Sequence, residues 1–444
     1  MLERIFKLKE LGTSARQESI AGLTTFLTMA YIIFVNPSIL SATGMDKGAL
    51  ITTTILASAF GTLLVGLWAN VPFAMAPGMG LNAAFAFMLV LGKQISWETA
   101  LGVVFVSGIF FLVLTVCGIR KKIVEAIPQH LRLGIAAGIG LFITFIGFQN
   151  LGLIVDHPAT LVHMVDTITV PICLGLIGLA AIAVMEVRKI KGAILIGILF
   201  TTILGIIFKA VELPPPEGEP GAMAFVRAFV SKPPSIAPIF CKMDLLGALK
   251  WAMWGSIFSF MFVDLFDSVG TIVACSYEAK LVQEDGSIRK VDRVLQADAI
   301  ATVAGAVLGT STTTTYIESG AGIAEGGRSG LTSVVVAVLF LSALLFTPVI
   351  AMVPGFATAP ALIVVGVYMF KSVLKIDFGS FETAVPAFLT IILMPLTYSI
   401  STGICFGFVS YILMMLAAGK AKEINPIMAF IGIFAAIDLA LSLA

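Results

Sequence analysis

Four acids and one amide stand out because the sequence around them is so apolar. The stretch "FSFMFVDLFDSVGTIVA" carries Asp264 and Asp267, three residues apart and hence on one helical face. Asp298 opens "LQADAIATVAG", and Glu318 follows the threonine run of "TSTTTTYIESGAG". Asn82 comes after Pro77, Gly78 and Gly80 in "FAMAPGMGLNAAFAF". An ionisable group at membrane depth costs roughly 2.5–3.5 kcal/mol on insertion scales, so keeping one points to a function. No lysine or arginine lies inside these stretches to neutralise the acids. The plain alternative, above all for Asp264 and Asp298, is a fixed bond to backbone or hydroxyl groups.

Burial disfavours the charged form of a carboxylate, so acids placed this way can bind and release protons. When ionised, they accept charge-assisted hydrogen bonds from a ligand N–H. Asn82 offers both a donor and an acceptor, unless it only caps the broken segment it sits in. A set rich in acceptors and poor in cations fits a neutral, flat, N–H-bearing solute better than a phosphate or dicarboxylate. Phe73, Phe85 and Phe87 could stack on its faces, although packing is the commoner role for phenylalanine. Cys117, Cys173, Cys241, Cys275 and Cys405 are scattered singly, and His130, His157 and His163 fall in or near polar connections. No metal site or redox pair is expected from them.

The elements that must hold these residues are membrane helices. The 444-residue chain is 59% hydrophobic and 12% charged, against about 25% charged for a soluble domain, with a mean hydropathy of +1.05. Apolar runs of about 20 residues indicate helices rather than a β-barrel. Spans are expected at 21–40, 50–69, 73–92, 99–118, 133–155, 168–186 and 192–210. After the proline-rich "ELPPPEGEP" they resume at 247–275, 295–309, 311–325, 331–353, 357–370, 383–397 and 400–418. The segment 426–443 is a further span or an interfacial helix. The basic, amphipathic N-terminus, with Leu2, Ile5, Phe6 and Leu8 at helical spacing, could lie in the interface, and no cleaved signal peptide is read there.

With the N-terminus in the cytoplasm, even-numbered spans should end at basic clusters. They do so at Arg120, Lys121, Lys122 and Arg132; at Arg188, Lys189 and Lys191; at Lys280, Arg289, Lys290 and Arg293; and at Lys420 and Lys422. Both termini are then expected on the cytoplasmic side. Fourteen spans, seven before the proline-rich connection and seven after, make an inverted repeat. The divisions are 1–212, a connection at 213–246, a second repeat at 247–420 and an apolar tail at 421–444. Transporters built this way place their site on interrupted helices in matching positions. Spans three and ten are that pair, about 234 residues apart. Proline and glycine weaken the helix in one, and threonines favour extended backbone in the other. Each should be a short strand with a half-helix.

Several motifs carry a resemblance over nearly the whole chain. They include "AGLTTFLTMAYIIFVNPSIL", "APGMGLNAAFAF", "IPQHLRLGIAAGIGLFITFIGFQNLG", "FVDLFDSVGT" and "QADAIATVAGAVLGTSTTTTYIESGAGIAEGGRSGLTS". Together they resemble the AzgA-like adenine/guanine/hypoxanthine permeases of the nucleobase–ascorbate transporter superfamily. The resemblance implies an all-α fold of fourteen spans, with a core (1–4 and 8–11) and a gate (5–7 and 12–14). It also implies a homodimer through the gate and proton-coupled uptake of purine bases across the cytoplasmic membrane. Carried over by motif, Asn82, Glu318 and an eighth-span aspartate contact the purine. Asp267 aligns best with the binding acid of more distant carriers, and proton coupling falls to Asp267 or Asp264. Asp298 helps order the start of the ninth span. Thr271 stands where the uracil carrier has a histidine, so a coupling scheme using that histidine does not transfer. Thr271 and Ser319 complete the candidate binding set, supported by Gly80, Thr315 and Gly270. No cofactor and no nucleic-acid partner is implied.

Two other readings compete. An anion exchanger of the same fold would lean on helix N-termini and positive charge, where this chain has carboxylates. A membrane enzyme would need a metal cluster, a nucleophile–base pair or a phosphate loop, and the sequence offers none.

Overall fold

The computed structural model describes residues 2–119, 123, 126–211, 230–281 and 288–443. Arg120, Lys121, Lys122 and the proline-rich stretch at 212–220 lie outside these residues. The chain is helical almost throughout, as an apolar backbone must be when water cannot satisfy its N–H and C=O groups. The first half runs through α1 (Ala15–Met29), α2 (Ile32–Leu40) and α3 (Lys47–Trp68). A strand, β1 (Met75–Pro77), then leads into the short helix α4 (Met79–Ala83), which continues as a π-helix over Ala84–Gly92. α5 (Trp97–Val116), α6 (Gln129–Asn150), α7 (Val170–Val187) and α8 (Ala193–Ile207) complete it. The helix starts are chemically marked: Asp46 and Ser96 cap α3 and α5 with side-chain oxygens, and a proline stands in the first turn of α7.

The second half opens with α9 (Trp254–Glu278) and α10 (Val291–Leu308). It too breaks, into β4 (Thr313–Thr315) and the six-residue α11 (Ser319–Ala324). Then come α12 (Gly330–Ala343), α13 (Gly355–Phe370), α14 (Phe381–Leu396), α15 (Ile400–Ala417) and α16 (Pro426–Leu443). Among the described residues nine helical segments are long and apolar enough to cross a membrane, and four apolar helices are shorter.

The two broken segments meet. β1 and β4 pair antiparallel, with Met75 opposite Thr315, Ala76 opposite Thr314 and Pro77 opposite Thr313. The pairing extends one bond each way, from Gly78 N–H to the Thr312 carbonyl (2.9 Å) and from Tyr316 N–H to the Ala74 carbonyl (2.9 Å). Backbone groups freed by breaking two helices are therefore satisfied by each other, inside protein. The strand-plus-half-helix expectation describes both segments.

A second strand pair, the hairpin of β2 (Ile154–His157) with β3 (Leu161–Met164), follows α6 and departs from the all-α expectation. The fifth span, expected to reach residue 155, ends as a helix at Asn150, and "IVDHPATLVHM" turns back at Pro158. In that stretch the Ile-Val and Leu-Val pairs carry β-branched residues on either side of Pro158, and proline resists continuing a helix.

Around the strand pair the helices form two packing groups. One joins α3 with α10 and α12, α5 with α9 and α10, and α1 with α11 and α12. The other joins α6 with α13 and α14, α14 with α15, and α7 with α8 and α13. In the second group Gly140 of α6 and Gly366 of α13 face each other so closely that a Cβ on either would strike the other's carbonyl. α16 joins both groups. Its Phe434 ring lies 4.2 Å from that of Phe258 on α9, and Asp438 accepts from Cys405 Sγ (3.7 Å) on α15. Gly432 packs on Ile412, and Asp438 lies against Gly255. On both partners the contact moves back along the chain as α16 moves forward, so α16 runs antiparallel to α9 and to α15.

Candidate substrate site

A cavity of about 350 Å³ opens between the two groups, within the ~300–1,000 Å³ typical of small-molecule sites. From the first group come Tyr31, Gly78, Gly80, Phe266, Asp267, Gly270, Thr271, Thr315, Tyr316 and Glu318. The opposite wall is two helical stripes. Arg132, Ile135, Ala136 and Ile139 of α6 and Val365, Tyr368, Met369 and Ser372 of α13 and its end recur at i, i+3, i+4 and i+7. The strand pair is the floor from which Glu318 and Thr315 project.

The four acids divide into two kinds. Asp298 is fully buried, and one of its oxygens accepts from Thr314 Oγ1 (3.1 Å), Thr315 N–H (3.1 Å) and Thr315 Oγ1 (3.3 Å). Asp264, 2% exposed, accepts from Ser268 Oγ (3.1 Å) and Thr302 Oγ1 (3.3 Å). Ser268 Oγ lies 2.8 Å from Thr314 Oγ1, and Thr302 shares its one hydroxyl proton between Asp264 and the Thr313 carbonyl (3.1 Å). These two acids and the threonine run therefore form one network that holds β4 from behind, away from the cavity.

Asp267 and Glu318 face the cavity instead. Asp267 has no hydrogen-bond donor or ion-pair partner among the described residues. Gly78 lies beside it, and a Cβ there would stand in ordinary contact with Asp267 Oδ2 (3.4 Å) but tightly against Thr314 Cγ2 (3.0 Å) of the strand pair. Glu318 accepts from the Tyr31 hydroxyl at 2.5 Å through Oε1. That bond turns one carboxylate oxygen toward Tyr31.

The candidate residues are thus not all brought together. Asp267, Glu318, Thr271, Gly270, Gly80 and Thr315 line the cavity, and Asn82, Asp264, Ser319 and Asp298 do not. Asn82 is fully buried, and its Oδ1 accepts from Ser311 Oγ. Ser319 Oγ accepts from Ala74 N–H (3.0 Å) and donates to the Tyr316 carbonyl (2.7 Å), tying the end of β4 to the approach to β1. Phe73 and Phe85 are sealed in the core, and Phe87 packs edge-on against Tyr398. The aromatic lining is Phe266 with three tyrosines, Tyr31, Tyr316 and Tyr368. The chain has only six tyrosines, so a phenol inside an apolar span was the signal that sequence reasoning passed over. Arg132, one of the basic residues expected after the fourth span, also lines the cavity.

A second cavity of about 500 Å³ shares Ile317, Glu318 and Tyr368 with the first. It extends past Glu278 to Lys189 and Lys191 of the α7–α8 turn. Glu318 therefore stands where the two spaces meet.

The family model described as the permease family, that of the xanthine/uracil permeases, matches residues 16–433. The chain belongs to that family. The permease is 43% identical over 426 residues to adenine permease AdeP of Escherichia coli, covering 96% of this chain and 93% of the relative. It is 45% identical over 438 residues to guanine/hypoxanthine permease PbuG of Bacillus subtilis, covering 96% and 97%. In fold it is similar to the transmembrane domain of a cyanobacterial bicarbonate transporter, BicA, with a TM-score of 0.64 at 16% identity over 88% of this chain and 97% of that one. It is a multi-pass membrane transport protein and not an enzyme.

Proposed function

We propose that the permease imports purine nucleobases by proton symport through alternating access. The observation that carries this reading is the cavity between two packing groups, lined by the carboxyl groups of Asp267 and Glu318 together with Phe266, Tyr31, Tyr316 and Tyr368. A purine is flat and neutral and bears ring N–H groups that carboxylate oxygens accept. Protonation of Asp267 would cancel a buried charge and so favour loading or return of the carrier. The names of the relatives, adenine and guanine/hypoxanthine permeases, agree with this substrate class.

The moving parts we propose are the two packing groups, as core and gate in a fourteen-span 7+7 inverted repeat (1–212 and 247–420), with the gate also forming a homodimer. The second cavity supports access from the side of Lys189 and Lys191, the cytoplasmic side by the charge rule. Orientation in the cytoplasmic membrane then puts residues 1–20 inside. Because α16 runs antiparallel to α15, we place residue 443 on the opposite side, which revises the expectation of two cytoplasmic termini.

Uptake of labelled hypoxanthine and adenine, with and without an uncoupler, tests the function. Loss of uptake on uncoupling supports symport, and uptake indifferent to the proton gradient removes it. Glu318→Ala should abolish binding. Asp267→Asn should damage binding or coupling while the protein still reaches the membrane. Wild-type affinity in both variants would put the site elsewhere.

A further inference from the structure

Among the described residues Arg132 is the one cation lining the cavity, and the roles assigned above do not use it. It lies in the first turn of α6, where the helix dipole works against a positive charge rather than for it. Its Nε is buried without a hydrogen-bond partner, and its guanidinium makes no ion pair among the described residues. A partly desolvated cation so placed serves helix stability poorly, and a buried donor left unmade is costly. Its side chain shares the α6 stripe with Ile135, Ala136 and Ile139, across the cavity from Asp267 and Glu318.

The two walls are therefore complementary in polarity, with acceptors on one and a planar fork of donors on the other. A ligand that satisfies both carries N–H groups on one edge and two adjacent acceptors on another. In a 6-oxopurine, O6 and N7 form that acceptor pair, and arginine meets them with two parallel bonds. A 6-aminopurine presents an NH₂ donor in place of O6, which sets donor against donor. On the reading that this permease carries purines, we infer that Arg132 is a specificity residue that reads the O6/N7 edge. It selects hypoxanthine and guanine over adenine.

The test is competition for uptake of labelled hypoxanthine and, separately, of labelled adenine, in wild type, Arg132→Gln and Arg132→Lys. Membrane abundance is measured for each. In wild type, hypoxanthine and guanine should compete at concentrations about 10-fold or more below adenine. Arg132→Gln should weaken hypoxanthine about 10-fold or more and move adenine by less than about 3-fold. Arg132→Lys keeps the charge but loses the fork, so its loss for hypoxanthine should be intermediate. A preference unchanged in Arg132→Gln, or an equal loss for both bases at normal abundance in both variants, overturns the assignment. Adenine uptake serves as the internal control for folding. Wild type that carries neither base would overturn the purine reading itself, and this assignment with it.

Discussion

Tyr31→Phe separates orientation of Glu318 from mere packing around it. The ring is fully buried, so phenylalanine keeps its shape, and the change removes only the hydroxyl that donates to Glu318 Oε1 at 2.5 Å. A hydrogen bond to a charged group is worth roughly 1.5–3 kcal/mol. If Glu318 binds purine as a carboxylate held by Tyr31, affinity should fall about 10- to 150-fold. The control is Tyr316→Phe, a second cavity tyrosine whose hydroxyl donates to the neutral Pro77 carbonyl, also at 2.5 Å. A neutral pair is worth roughly 0.5–1.5 kcal/mol, so that loss should be about 2- to 10-fold. Equilibrium binding of labelled purine to detergent-purified protein reads both, with thermal stability measured alongside. Affinity within 2-fold of wild type in Tyr31→Phe would refute the claim that this bond sets the binding form of Glu318.

Three further outcomes follow from particular contacts. Asp298→Ala should act on stability rather than specificity. It strands the Thr315 N–H and hydroxyl, each a loss of roughly 1–3 kcal/mol, while Thr314 keeps Ser268, so thermal unfolding should come markedly earlier, and Asp298→Asn should recover part of it. Gly80→Ala would set a Cβ 2.7 Å from Ile139 Cγ2 on the opposite wall, so uptake should drop about 10-fold, and adding Ile139→Ala should restore most of it; no rescue would show that the wall contact is not the cause. In a cysteine-free background, Lys420→Cys and Ala440→Cys should react with an impermeant thiol reagent from opposite sides of the membrane, and labelling from the same side would show that α16 does not cross.

Rarity decided what could be read in advance. Acids in apolar spans are few, so Asp264, Asp267, Asp298 and Glu318 announced themselves, and the glycines, proline and threonines marked both breaks before any strand was seen. Which acid faces the ligand was not legible. Asp264 and Asp267 share a helix and differ only in which neighbours fold against them. Ser268 and Thr302 claim the first, and no donor among the described residues claims the second. Tyr31 was overlooked because its meaning depends on Glu318, 287 residues away. Arg132 looked like one more basic residue after a span until α6 turned its stripe to the cavity.

Hydropathy, charge placement and helix-breaking residues determined by themselves that this chain lies in a membrane, breaks twice in matching places and keeps acids there. These are local energies, set by each residue against lipid or water, and a linear sequence carries them directly. Only the tertiary structure decided that the breaks pair as strands, that two acids brace the threonines while two face the cavity, and that α16 runs against its neighbours. Those outcomes depend on which distant groups bind best to a limited set of hydrogen-bonding partners, and no single stretch of chain contains that competition.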